Sequence, residues 1–338
     1  MSEKLDVQKA LFQKVKEKLP THTSLVDEIA ERLSISSDGV YRRLRNETPL
    51  RLDEAAKLCQ EFNISLDEIV QENQNHSIVF QPTGIRNGAL QFEEYLHGLL
   101  GLFTEIQNKG VKSSLYAAKD IPVFHLYQFP ELALFKMFFW RKTIYNDPEL
   151  NGKQFELNIN DESQDRCISL CKQIAEKYAL IPSTEIWNEE TSYSFVKQIG
   201  YYYEAGLFKR KQDAILLCEQ VEALFVHLKK EAELGYKFMA DNPPESRVKN
   251  FWLYYNDLIL IDNVIVVDFE DFRQAFLIYN SIDYLSTRNP VFAEEVKIWL
   301  ENITRKSELI SEVAERMRNK FFMKTQRKIE GLKEILAQ

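Results

Sequence analysis

Between Ser36 and Arg51 the sequence SSDGVYRRLRNETPLR gathers four arginines, Arg42, Arg43, Arg45 and Arg51, against two acids, Asp38 and Glu47. Guanidinium groups are flat, permanently charged and bidentate, so the chemistry such a run can do is the recognition of phosphates and guanine edges. The overall charge opposes this reading. It is −8 for the 338 residues, and residues 1–75 hold 11 Lys and Arg against 14 Asp and Glu. A small docking face, however, responds to the local field rather than to the sum. The competing reading is a solvated charged face on a module that docks another protein.

Other chemistry is poorly represented. The chain contains no GxSxG, P-loop, GxGxxG, HExxH or paired CxxC motif. The five histidines, His22, His76, His97, His125 and His227, are scattered without an i,i+4 partner that could build a metal face. His125 sits in an apolar run and reads as a hydrogen-bonded core residue. Asp268, Glu270 and Asp271 follow a strand-like segment, where they could act as acid and base but read as a solvated turn. Cys167 and Cys171 share a helix face with no second pair to complete a metal site, so they, Cys59 and Cys218 read as buried thiols. The expectation is a protein that is not an enzyme and holds neither metal nor cofactor. Two aromatic clusters, FPELALFKMFFW and IGYYYEAGLF, could line a ligand pocket or simply fill a core.

The elements that position the arginines come early in the chain. Leu5, Ala10, Leu11, Val15 and Leu19 form a helical stripe that Pro20 ends. Thr23 or Ser24 caps a second helix carrying Leu25, Val26, Ile29, Ala30 and Leu33. After the turn Ser34-Ile35-Ser36, a third helix capped by Ser36 or Ser37 carries Val40 and Leu44 and stops before Pro49. Leu52, Ala55, Ala56, Leu58, Cys59 and Phe62 mark a fourth. Ser65 with Glu68 makes a capping box for a short fifth helix.

The stretch IAERLSISSDGVYRRLRNETPLRLDEAAKLCQEFNISLDEIV resembles the lambda-repressor-like, or XRE-like, helix-turn-helix domains. Ile29-Ala30, Leu33, Ile35 and Val40 carry the resemblance, with Ala55-Ala56 and Ile64 through Ile69. Family members usually place Gly in the turn, where this chain has Ser34. They also carry an apolar residue three after Val40, where this chain has Arg43, so Leu44 must supply that contact. The resemblance implies a recognition helix, residues 36–45, lying in the major groove of double-stranded DNA. Of its exposed residues, with Ser36 at the cap, Ser37, Asp38 and Tyr41 are expected to read bases and Arg42 to pair with guanine. Arg43, Arg45 and Arg51 are expected at phosphates.

The polar run QENQNHS near residue 74 marks an expected boundary between a 1–74 domain and a 75–338 domain. The second part holds nearly all of the 22 Phe and 15 Tyr. Its periodicities predict helices over 89–109, 131–145, 165–178, 189–205, 209–239, 292–301 and 307–336. Strands are expected at Ser114–Ala118, Val123–Tyr127 and Ala275–Tyr279, and a hairpin joins Phe251–Ile261 to Val264–Phe269 through Asp262-Asn263. The fold class is therefore mainly α: a five-helix helix-turn-helix domain followed by a larger α+β domain, mostly helical with a small sheet. No apolar run reaches the roughly 20 residues of a spanning helix, and the N-terminus lacks a signal-peptide pattern. The expectation is a cytoplasmic, DNA-binding homodimer. Its C-terminal domain dimerises, through the long last helix unless that helix packs back on its own domain, and could sense a small-molecule effector.

Overall fold

The computed structural model describes residues 6–20, 23–62, 64–71, 78–83, 92–157, 162–242, 248–257 and 262–338. The chain divides into two compact units, Met1–Phe80 and Gln81–Gln338. It is mainly helical, with one mixed sheet of eight strands among the described residues.

In the first unit α1 (Val7–Lys18), α2 (Leu25–Leu33), α3 (Ser37–Leu44), α4 (Leu52–Glu61) and α5 (Leu66–Gln71) surround one core. Local capping sets where the helices begin. Asp6, Ser24 and Ser36 each offer a side-chain oxygen to the backbone N–H three residues on. Leu11, Phe12 and Val15 of α1 meet Ile29, Val40, Leu58 and Ile69 from the other four helices, all buried. Each such aliphatic side chain contributes about 1.5–3 kcal/mol by leaving water. Ala30, Leu33, Ile35 and Leu44 pack half-buried around them. The Glu68 half of the expected capping box lies outside the described side chains.

The second unit is a sheet with helices on both faces. Its strands are β1 (Gln81–Thr83), β2 (Ser113–Ala118), β3 (Ser183–Trp187), β4 (Phe251–Tyr255), β5 (Val264–Asp268), β6 (Arg273–Tyr279), β7 (Asp283–Thr287) and β8 (Glu308–Leu309). Their order is β1-β7-β6-β5-β2-β3-β4-β8. The neighbours β2, β3 and β4 pair in parallel, and every other pairing is antiparallel. Parallel strands need long crossovers. The first holds α7 (Val123–Leu126), α8 (Pro130–Phe139) with its π-helical extension Trp140–Ile144, and α9 (Glu162–Leu180). The second holds α10 (Glu189–Glu204) and α11 (Lys211–Leu234).

Strand side chains alternate between faces. Leu115, Ala117, Ile186, Val264, Val266 and Ala275 meet a single helix, α12 (Pro290–Arg305), through Ala293, Val296 and Leu300. The opposite face, with Tyr116, Trp187, Phe251, Val267 and Phe276, meets α6 (Phe92–Asn108), α7 to α11, and α13 (Glu315–Ala337). α13 buries Phe321, Phe322, Ile329, Leu332 and Leu336 against α10 and α11. It therefore packs back on its own unit.

Three sequence expectations are corrected. Val123–Tyr127 is not a strand: with Pro122 as its N-cap it closes a helical turn, the Tyr127 N–H donating to the Val123 carbonyl at 3.1 Å. The hairpin across Asp262-Asn263 does not form. β4 and β5 lie in one sheet with β2 and β3 between them, so the two strands are not neighbours. Asn263 instead uses its side-chain oxygen to accept the Lys119 N–H at 2.9 Å. The sheet is also larger than expected, since β1, β3, β7 and β8 were not foreseen. Residues 258–261 of the expected hairpin, residues 89–91 of the expected helix, His22 and His76 lie outside the described residues.

Candidate functional site

The arginine run lies on and after α3. Ser36 caps the helix, its Oγ accepting the Gly39 N–H at 3.2 Å. Ahead of it, Ser34 ends α2 in the left-handed region, φ 55° and ψ 44°, while the Ile35 N–H returns to the Ala30 carbonyl at 3.1 Å. That left-handed step takes the turn-glycine's place and lets α3 leave α2 at an angle. Val40 pins α3 from below at 0% exposure.

On the outer side Tyr41 is half exposed, and Ser37, Asp38, Arg42, Arg45 and Arg51 are exposed. Each of these arginines has an acidic partner on the surface: Arg42 with Asp38 at 3.2 Å, Arg45 with Glu47 at 2.8 Å, and Arg51 with Asp53 at 3.1 Å. Exposed pairs of this kind are worth about 0–1 kcal/mol and open readily.

Arg43 departs from the expected phosphate contact. Its Nε and Nη2 donate to the two Glu54 oxygens at 3.2 and 2.8 Å, and its Nη1 donates to the Gly39 carbonyl at 3.0 Å. With only 13% of its side chain exposed, Arg43 is a strut between α3 and α4 and not a surface group. It fills with a salt bridge the position where the family pattern has an apolar residue. Burial pushes the Glu54 carboxyl up, but Arg43 and the Arg51 N–H outweigh it and hold it below the ordinary carboxylate range.

Gln8 was missed from sequence. Its Oε1 accepts the Leu50 N–H at 2.6 Å, and its Nε2 lies 2.7 and 3.1 Å from the carbonyls of Arg43 and Thr48. One glutamine of α1 thus ties down both ends of the loop that follows α3. Nothing local could have marked it, because its partners lie 35 to 42 residues away.

The second unit contains a cavity of about 110 Å³ between the sheet and helices α6, α7, α8 and α9. Its walls are mostly apolar, with Leu99, Phe103, Ile265, Val267 and Phe276 among them, and it carries the polar groups of Lys136, Asp120, Tyr95 and Tyr116. Lys136 and Trp140 come from the cluster FPELALFKMFFW. The cluster IGYYYEAGLF contributes no lining residue; its Tyr202 stacks edge-on against Phe135 in the core. Lys136 is 5% exposed, and burial pulls its ammonium down to about 8, with Asp120 pulling the other way.

Behind the cavity wall lies a buried charged cluster that sequence reasoning also missed. Glu185 of β3 has both oxygens 3.1 Å from His125 Nε2, accepts Trp187 Nε1–H at 2.9 Å and accepts the Tyr178 hydroxyl. Lys237 donates to Ser183 Oγ at 2.7 Å and sits 3.8 Å from the Tyr178 ring centre. Burial raises the Glu185 carboxyl, but His125, Lys237 and the Tyr178 hydroxyl overcome this and hold it ionised. With Glu185 at 0% and His125 and Lys237 at 1% exposure, the cluster is sealed from solvent and works as a core crosslink.

Asp268 is taken up by Arg273 and Lys297, and Glu270 and Asp271 lie exposed on the β5–β6 turn. Burial raises the Cys171 and Cys218 thiols, the latter to about 12, which removes them as nucleophiles. Among the described residues no group of three or more His, Cys, Asp or Glu could hold a metal ion, and no helix is long and apolar enough to cross a membrane.

Compared with family models, with curated proteins and with solved structures, the chain matches none.

Proposed function

We propose that this chain is a cytoplasmic, sequence-specific DNA-binding transcriptional regulator of the helix-turn-helix type. In this reading α3 enters the major groove, Ser37, Asp38 and Tyr41 read base edges, Arg42 pairs with guanine, and Arg45 and Arg51 hold phosphates. The observation that supports it best is the division of labour around α3. Val40 and Arg43 hold the helix from inside, while Tyr41, Arg42 and Arg45 remain exposed outside and are held only by weak surface pairs. The second unit supplies dimerisation and ligand response and performs no catalysis. With α13 occupied, the exposed Val291, Ile298 and Trp299 of α12 are the better dimer contact.

A gel shift and footprint on DNA upstream of its own operon tests the reading. Binding should weaken with salt at a log–log slope of about −0.9 per phosphate neutralised. Arg45→Ala and Arg51→Ala should each reduce that slope by about one unit, and Arg42→Ala should lose about 1–3 kcal/mol at one base position. Unchanged affinity and slope in all three variants would reject the groove geometry. The net charge of −8 and the acid beside every exposed arginine favour a second reading, a protein-docking module. Capture of a stable protein partner with no DNA shift at low salt would select it.

A further inference from the structure

Lys136 is the anomaly of the second unit. Among the described residues its only hydrogen bond goes to a neutral group, the Gln198 side-chain oxygen at 3.0 Å, and no carboxylate lies within ion-pair reach. The rings of Trp140, Phe139 and Phe195, 5.3, 5.4 and 5.8 Å from its Nζ, offer only their faces. Two of its three N–H donors are therefore unspent. A buried ammonium without a counter-ion costs stability, and this one stands in the wall of a cavity. Two further polar groups line the same space. The hydroxyls of Tyr95 and Tyr116 make no hydrogen bond to a described residue, although Tyr116 is only 6% exposed. Burial pushes both hydroxyls well above their ordinary range, so they stay protonated and can only donate to an anion. The side chains of all three residues border one largely apolar space.

We propose that this cavity binds a small apolar molecule bearing a carboxylate, which pairs with Lys136 while the apolar body lies against Leu99, Phe103, Val267 and Phe276. The volume limits the guest. A cavity of about 150 Å³ holds benzene, so about 110 Å³ suits an apolar body of about four carbons. Two sources fit: a short monocarboxylate, or an apolar α-amino acid whose ammonium meets Asp120. The Asp120 carboxylate lines the cavity, lies beyond ion-pair distance of Lys136 and accepts no hydrogen bond from a described residue. The inference deepens the ligand-response part of the proposed function. It is tested without DNA, so its failure and that of the groove geometry are separable.

The test is calorimetric titration of the full chain with pentanoate and with leucine, using pentanamide and leucinamide as controls. One carboxylate should bind at least about tenfold more tightly than its amide, as expected when a charge-assisted bond is lost. Affinity should decline as pH rises past about 8, where Lys136 gives up its proton. Lys136→Met keeps the apolar stem and should fold with an equal or higher midpoint while losing binding about tenfold or more. Tyr116→Phe, a milder change, should weaken binding several-fold. Asp120→Asn should weaken leucine if the guest is an amino acid, and should not weaken pentanoate. Absence of binding by both acids at millimolar concentration would overturn the inference. So would amides binding as well as acids, or unchanged affinity in Lys136→Met.

Discussion

Single residues decide how α3 is held. Ser34 occupies a left-handed backbone conformation that costs a residue with a β-carbon about 1–2 kcal/mol. Glycine avoids that cost but gives back about 0.5–1 kcal/mol of unfolded-chain entropy. Ser34→Gly should therefore stabilise the first unit by about 0.5 kcal/mol, read as a small rise in its thermal midpoint. The Arg43–Glu54 strut makes the opposite kind of claim. Because the folded Glu54 carboxyl lies below its unfolded value, the pair contributes fully above the ordinary carboxylate range, and the contribution is lost as pH falls through it. Wild type should lose more stability than Glu54→Gln between about pH 6 and 3. Parallel acid-titration curves for the two proteins would contradict the strut.

At the scale of elements, Gln8 ties α1 to the loop after α3 although that loop is remote from it in sequence. Gln8→Ala leaves the Leu50 N–H and the Arg43 and Thr48 carbonyls without their partner, and should destabilise the first unit by about 1–3 kcal/mol. Denaturant unfolding followed by circular dichroism measures this directly. The same contrast between local and distant partners explains what could be read from sequence. Ser24, Ser36 and the proline at 49 act within four residues of themselves, so the limits of α2 and α3 are written in the chain. β5 and β6 show their β-branched and aromatic character openly. β3 hides, because Glu185 in its middle looks solvent-facing until His125 and Tyr178 arrive from other elements to bond it. Lys136 was visible only as an interruption of an apolar run. Its meaning depends on Asp120 and on a cavity wall built from three other helices and four strands.

For the whole molecule, the first core draws on residues 7–69 and the two others on residues 92–336, with no member in common. Leu58→Ala should therefore lower only the unfolding transition of the first unit, by about 2–5 kcal/mol, and leave the second in place. A scanning-calorimetry trace in which both transitions move together would contradict this. The sheet of the second unit carries a further imbalance, since among the described residues α12 is the one helix packed on one side of it. A layer one helix thick can peel away in a single local event. Amide hydrogens of α12 should consequently exchange with deuterium before those of α11 or β3. A second molecule seated on Val291, Ile298 and Trp299 would clamp that layer shut, so exchange in α12 should slow as protein concentration rises. The weakest shell of the fold would then report on self-association.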